Sequence, residues 1–522
     1  MLHSIKDLIV VLVLALAIFR FARPIARHFT SDADFSRRRG VWLALTIIAF
    51  LSPTFWWFVA LGAPLLIWAR RRDSNPVALY LLLLHVVPSL PVPIPVIGIN
   101  ELFDLDNYRL LSFCVLIPVA LHLRRTKDGT RVAGVRGMDV LLLGYGVLQV
   151  ALYIPPDLPH HEILPDSMTN MLRRVVLFVV DVYALYFVVS RGCSDRGKLR
   201  DAMAAFCLGC GIMAAVGVFE SARHWLLYAD LQIRWTEVYT RLWLERAGWL
   251  RAEASAGHSL SLGYLLAIAF GFWLYLQTYV SSKRSRLAVT LLLWLGLIAA
   301  YSRGPWLGAV VVYLSFMAVG PGSFARTFKA AAVIALLFGA VSLTPLGDRI
   351  LSVLPFFGGS VDSGNVVYRE RLLDRSWELL RERPFFGDQL AQFKLEDLRQ
   401  GEGIIDFVNT YADVALSYGL VGLFCFVAFA LLGLARAYQT IRRTAAADPD
   451  LAWLGTSLVA CISGTLLMLA DSSFTLGYEK MFYVLAGLAA AYVKLGAGNL
   501  AAADNVSNVA RPVVMQPHQR ER

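Results

Sequence analysis

The chain has 522 residues, of which 57% are apolar and only 17% charged. With a mean hydropathy of +0.58 it is too apolar for a water-soluble globule, which holds roughly 45–50% apolar and about 25% charged residues. The net charge of +11, from 49 Lys and Arg against 38 Asp and Glu, then reads as an inside-positive topology signal, not a nucleic-acid footprint. The expected fold class is an all-α polytopic membrane protein.

The first apolar run has no small-residue cleavage site after it and is expected to stay as an anchor. The basic stretches 20–39 and Arg70-Arg71-Arg72 should both be cytoplasmic, so the apolar run 41–69 between them is read as a hairpin turning at Ser52-Pro53-Thr54. Helices are expected over 76–90, 109–123, 138–154, 174–190 and 201–220, joined by alternating acidic outer and basic inner loops. With the later apolar segments the count reaches about 12 to 15 spans, each needing about 20 apolar residues.

Two outer segments stand apart. Residues 221–257 interleave Trp225, Trp235, Trp243 and Trp249 with arginines, and Leu231, Trp235, Val238, Leu242 and Trp249 recur at the spacing of an interfacial amphipathic helix. Residues 347–407 form the largest soluble element, with an amphipathic helix over 366–383 stopped before Pro384. The expected organisation is a transmembrane core over 1–346, that loop over 347–407, C-terminal transmembrane helices over 408–496 and a disordered cytoplasmic tail over 497–522.

The charges that carry chemistry are those with no topological reason to be where they are. Arg303, in Tyr301-Ser302-Arg303-Gly304-Pro305-Trp306, falls at the outer face between two apolar helices. A guanidinium near the hydrocarbon boundary costs on the order of 2–3 kcal/mol, which points to an anion held by its planar fork; the alternative is a snorkelling arginine. Arg251 is a second such residue, close to Glu253 and His258, either of which is a candidate acid or base; the alternative is an interfacial arginine beside a satisfied histidine. Arg369 and Arg371 are substrate contacts or a solvated helix face. Cys207 and Cys210 lie one turn apart in an apolar helix with no His or carboxylate partner nearby, and read as packing residues. Asp104-Leu105-Asp106 is an Asp-x-Asp of the kind that can hold a metal, weighed here as a solvated loop, and no metal is expected. Asp181, in mid-helix, with His85, is the best support for a transporter, against pairing with a neighbouring helix.

Tyr301-Ser302-Arg303-Gly304 resembles the Ser-Arg-Gly signature of the O-antigen ligase and polymerase superfamily. Arg369-Glu-Arg-Leu-Leu373 followed by Pro384-Phe-Phe-Gly387 is similar to that family's Arg-x-x-x-Leu helix closed by Pro-x-x-Gly. Val408-Asn409, nine residues and then Gly419-Leu-Val-Gly422 follow its His-Asn and Gly-x-x-Gly pattern, with valine where ligases carry histidine. Arg251 ahead of Gly257-His258 resembles its first essential arginine. The resemblance implies a glycan donor on undecaprenyl diphosphate in a bacterial inner membrane, with Arg251 and Arg303 on the diphosphate. Glu253 or Asp406 would be the base, and His258, Tyr301, Arg369, Arg371 and Asn409 substrate contacts. No cofactor and no nucleic acid is implied; the partners would be membrane lipid, a chain-length regulator and a flippase. Val408 favours a polymerase of exopolysaccharide or O-antigen repeats over a ligase to lipid A-core, and a flippase is the reading of another class.

Overall fold

A computed structural model describes residues 2–94, 103–125, 133–152, 168–236, 244–246, 248–320, 363–398, 407, 409–473 and 478–509. The fold is the all-α polytopic one that composition demands. Among the described residues six helices are long and apolar enough to cross a membrane: Ser4–Ala26, Arg196–Arg223, Ser259–Tyr279, Thr410–Thr444, Pro449–Ala470 and Tyr478–Gly498. Arg303–Val319 is a shorter apolar helix. The other expected spans fall on shorter or more charged helices, or outside the described residues. The N-terminal hairpin is one of these, with helices Asp32–Leu51 and Phe55–Arg72 meeting at 52–54.

Ser259–Leu276 is apolar all round, as a helix surrounded by protein can be, and its residues are almost all buried. It packs against Arg196–Arg223, Lys283–Ala299, Arg303–Val319 and Pro449–Ala470. Small residues bring these helices close, since lipid tails offer no hydrophobic drive for association. A Cβ on Gly263 would stand 2.7 Å from Pro305, and one on Gly296 would stand 2.7 Å from Ala214. Cys207 and Cys210 serve the same packing, donating to the carbonyls of Ala269 at 3.4 Å and Leu265 at 3.7 Å.

At the arginine-rich end, Arg38 ties three elements together. Its fork donates to both oxygens of Asp73 at 2.7 and 2.8 Å and both oxygens of Asp201 at 2.7 and 2.9 Å. Asn75 adds a bond to Asp201 at 3.0 Å. The Asp181 ion group is its counterpart in the other half of the bundle. Asp181 sits in a π-helical turn, Val179–Tyr183, that interrupts the expected 174–190 helix. It pairs with Arg109 at 3.0 Å and Lys480 at 3.0 Å, the partnered state weighed against a transport role. His85 Nδ1 lies 3.1 Å from the Tyr108 hydroxyl.

Three segments depart from the sequence reading. The 76–90 helix stops at Leu83, because the chain turns ahead of Pro88 and pairs Val92–Pro93 with Asp104–Leu105. The 221–257 stretch is not one amphipathic helix. Leu231 and Trp235 lie on Ala229–Thr236, Val238 and Leu242 fall outside the described residues, and Trp249 is on a strand paired with Glu245–Arg246. Gly248, at φ 76°, breaks the helical periodicity there. The last helix continues past Gly496 to Val509, where polar composition suggested a disordered tail.

The large loop packs Leu372, Leu379 and Leu395 in a buried cluster with Leu416, and is joined by backbone as well. Its helix, Ser363–Glu382, ends before the Pro384-Phe-Phe-Gly387 motif, which seats on a kink in Thr410–Thr444 at Gly419. Leu420 N donates to Pro384 O at 2.8 Å, Val421 N to Phe385 O at 3.1 Å, and Asp388 N to Leu416 O at 2.7 Å. Gly387 at φ 68° and Gly419 at φ 66° allow it, and a Cβ on Gly387 would come within 2.6 Å of Gly419 N. The two spaced glycine motifs are thus halves of one clasp.

Candidate active site

The site forms where the 251–258 segment, the 301–303 turn, the loop helix and the 471–473 turn converge. Glu220, near the end of Arg196–Arg223, staples the first of these. One carboxylate oxygen accepts from Leu227 N at 3.0 Å, and the other accepts from Glu253 N at 3.0 Å and Ala254 N at 2.8 Å. Ala252 N donates to Ala299 O at 3.0 Å, bringing this segment against the 301–303 turn. Ser255 Oγ donates to His85 O at 2.6 Å. Arg251, at the front of the segment, then reaches across and donates from Nη2 to Ser302 Oγ at 2.6 Å.

Among the described residues the non-glycine positions with left-handed backbone are His224 at φ 49°, Ala254 at φ 47° and Tyr301 at φ 45°. All lie around this site. Such residues cost of order 1–3 kcal/mol each and gather where geometry is held for function. The aromatic rings among them form a ladder. His224 stacks on Trp249 at 6.3 Å, and Trp249 on Tyr301 at 6.2 Å and 14°. Trp249 is exposed.

Arg303 opens the Arg303–Val319 helix. A cation at a helix N-terminus opposes the helix dipole, whereas an anion there is stabilised by it and by the free backbone N–H groups. Arg303 Nε is buried without a hydrogen-bond partner. The charges that act on Arg303 are Arg369, which repels it, and Asp471, which attracts it. Arg369 Nη1 meets Asp471 Oδ1 at 2.5 Å. Gly304 makes room for this arrangement, because a Cβ there would collide with Asp471 Oδ2 and stand 3.0 Å from the Tyr264 hydroxyl. The turn that carries Asp471 is fixed in turn by Thr410, whose N and Oγ1 both donate to Ser472 O, at 3.0 and 2.6 Å. Two guanidinium groups, of Arg303 and Arg369, therefore share one carboxylate, with Arg251 held on the neighbouring Ser302.

Of the residues singled out in the sequence, Arg251, Glu253, His258, Tyr301, Arg303 and Arg369 come together here. Arg371 does not. It is exposed and lies two positions on from Arg369, about 200° around the same helix. Asn409 has a structural duty: its Oδ1 caps the Thr410–Thr444 helix, accepting from Tyr411 N at 2.9 Å and Ala412 N at 3.2 Å. His258 is also a cap, with Nδ1 accepting from Leu260 N at 3.2 Å. Burial, with Arg251 nearby, lowers its pKa to about 4, so it stays neutral and is poorly suited to general acid work at neutral pH. Asp406 and Val408 lie outside the described residues. Asp471, Glu220 and Gly304 were not picked out as site residues. Asp471 carried a signal, being an acid at the outer end of an apolar helix where topology asks for no charge.

Glu253 has its pKa pushed up to about 8, by burial first and then by Glu220, with Arg251 opposing. Because the folded value lies above the ordinary 4.5, the native state binds the extra proton between those values, and stability falls as pH rises from about 4.5 through 8. Glu253→Gln is expected to flatten the decline in thermal midpoint over that window. An unchanged slope in the variant would show that Glu253 is not the group responsible.

In Asp104-Leu105-Asp106 the second aspartate is buried and its carboxylate is engaged by neighbours. The Asp106 carboxylate accepts from Ser89 Oγ at 2.5 Å and Arg109 N at 2.8 Å, and the Asp104 carbonyl accepts from Arg109. Among the described residues no group of three His, Cys, Asp or Glu side chains is placed to hold a metal ion.

Residues 287–427 match the family model for O-antigen ligase. The chain carries an O-antigen ligase-family domain. That match supports the resemblance of the motifs to the O-antigen ligase and polymerase superfamily and points to a glycosyl-transfer type of reaction. The matched region holds Arg303, Arg369, the Gly387–Gly419 clasp and Asn409, while Arg251, Glu253, His258 and Asp471 lie outside it. No curated protein matches the chain.

Proposed function

We propose that this O-antigen ligase-family protein is a polymerase that joins oligosaccharide repeats carried on undecaprenyl diphosphate at the periplasmic face of a bacterial inner membrane. The observation that carries the reading is Arg303, with its buried, unbonded Nε, beside Arg369 and the Arg251–Ser302 bond at a helix N-terminus. Such a cluster fits a diphosphate. In the transfer, the bond from the sugar's anomeric carbon to the phosphate oxygen breaks. The electron pair leaves on undecaprenyl diphosphate, where the guanidiniums stabilise it. The acceptor hydroxyl forms the new glycosidic bond and gives its proton to Glu253 as carboxylate. Trp249 and Tyr301 offer a flat face to sugar rings. Fixed guanidiniums can take the place that a divalent cation holds in enzymes with an Asp-x-Asp pair. Valine at 408 favours repeats over lipid A-core as acceptor, and the ion-paired state of Asp181 weighs against a flippase.

The test is purified protein in liposomes with a lipid-linked repeat and EDTA. Longer glycan on the carrier is the expected result. Transfer only to added lipid A-core would instead make it a ligase. Loss in EDTA, recovery with magnesium or manganese, and inactivity of both Asp104→Asn and Asp106→Asn would overturn the metal-free mechanism. The orientation rests on the basic loops, and Ser363→Cys should react with an impermeant maleimide from outside; reaction only after the inner face is opened would reverse it.

A further inference from the structure

The arginine-rich end of the bundle holds a second opening, away from the site above. The Leu2–Ala26 and Lys283–Ala299 helices each pack on Arg196–Arg223. A shallow apolar groove is left beside them, about 800 Å³ with the open solvent at its mouth counted, and its walls are almost wholly apolar, among them Ile18, Phe21, Phe29, Leu208 and Trp273. It begins beside Thr30, Arg38 and Asp201 and reaches Gly211. Ten residues of helix separate Asp201 from Gly211, a length of about 15 Å at about 1.5 Å per residue. That is half of the roughly 30 Å hydrocarbon core, or one leaflet.

The mouth of the groove is cationic. Arg23 and Arg27 close one wall and share Asp32, at 3.5 and 3.1 Å. Lys283, Arg284 and Arg286 stand in the first turn of the helix whose Val289 and Leu292 line the groove, and among the described residues no carboxylate pairs with them. Beside the mouth the rings of Phe29 and Tyr279 lie 5.6 Å apart. Arg38, farther in, is consumed by Asp73 and Asp201, so any anion must be held at the mouth.

We propose that this groove binds one anionic phospholipid of the cytoplasmic leaflet, with an acyl chain between the helices and the phosphate against Lys283, Arg284 and Arg286. The excess of cations on the helix ends beside the mouth selects an anion, as basic clefts between membrane helices do on the cytoplasmic side. The apolar walls, one leaflet deep, select a chain; a soluble phosphate would leave them wet. The proposal rests on the orientation argued above and not on the glycan chemistry, so it can fail while the polymerase reading stands.

Native mass spectrometry of the purified protein, titrated with phosphatidylglycerol or phosphatidylethanolamine, tests it. One phosphatidylglycerol should stay bound under conditions that strip phosphatidylethanolamine. Lys283→Gln combined with Arg284→Gln should weaken its retention about twenty-five-fold, at about fivefold for each basic residue near the surface. Gly211→Leu should abolish it by filling the deep end. A Cβ there meets only Ile18, at 3.8 Å, and leucine favours helix over glycine, so a monodisperse, folded variant is expected. Equal retention of both lipids, no bound lipid, or retention unchanged in the variants would overturn the proposal. Displacement of phosphatidylglycerol by an equal amount of undecaprenyl phosphate would also overturn it, in favour of the donor's own chain.

Discussion

Arg303→Lys should lower glycan extension by roughly thirty- to a thousand-fold, equivalent to about 2–4 kcal/mol of lost transition-state stabilisation. Lysine keeps the charge but not the planar fork, which can meet two phosphate oxygens at once. The Nε of Arg303 is buried without a partner, and the nearby Asp471 is already bonded to Arg369 at 2.5 Å. Arg251→Ala should fall similarly, since Ser302 is then left without its guanidinium. The measurement is chain extension at matched protein level in membranes. Near-normal polymer from Arg303→Lys would mean that the arginine merely snorkels.

Arg38→Met is expected to be the most damaging single change to stability. Breaking a buried ion group by removing one partner costs about 3–5 kcal/mol, because the charges left behind stay out of water. Here two aspartates would be stranded, both buried and both bound to the same guanidinium. The thermal midpoint in detergent should drop sharply, and Asp201→Asn added to Arg38→Met should recover part of the loss. A midpoint within error of the parent would show that the cluster is hydrated in the folded protein.

Class and site were legible to different depths in the sequence. Apolar runs and arginine placement suffice for an all-α membrane fold, because the bilayer lets few other structures span it. The hairpin turning at 52–54 was legible for the same reason. Arg303, Arg369 and Arg251 could be found because each is a charge that topology does not require. Glu220 could not. A carboxylate near the end of an apolar helix shows nothing of the three distant backbone N–H groups it binds. Asn409 and His258 read ambiguously for the opposite reason: polar residues just before apolar helices are as apt for capping as for substrate, and the structure uses both as caps. The 221–257 reading held for Leu231 and Trp235 and failed at Trp249, because helical spacing was counted across Gly248, whose backbone cannot continue a helix at φ 76°.

The Gly387–Gly419 clasp gives the outer loop a particular freedom to diverge. It is held by main-chain bonds from Leu420, Val421 and Asp388, so beyond the two glycines the join depends little on which side chains flank it. The exposed positions of the Ser363–Glu382 helix, such as Leu373 and Trp377, can therefore change without moving the guanidinium of Arg369 from its place beside Asp471. Relatives that handle different sugars could rewrite that surface while delivering the same cation to the same spot, much as an interchangeable head fits a fixed handle.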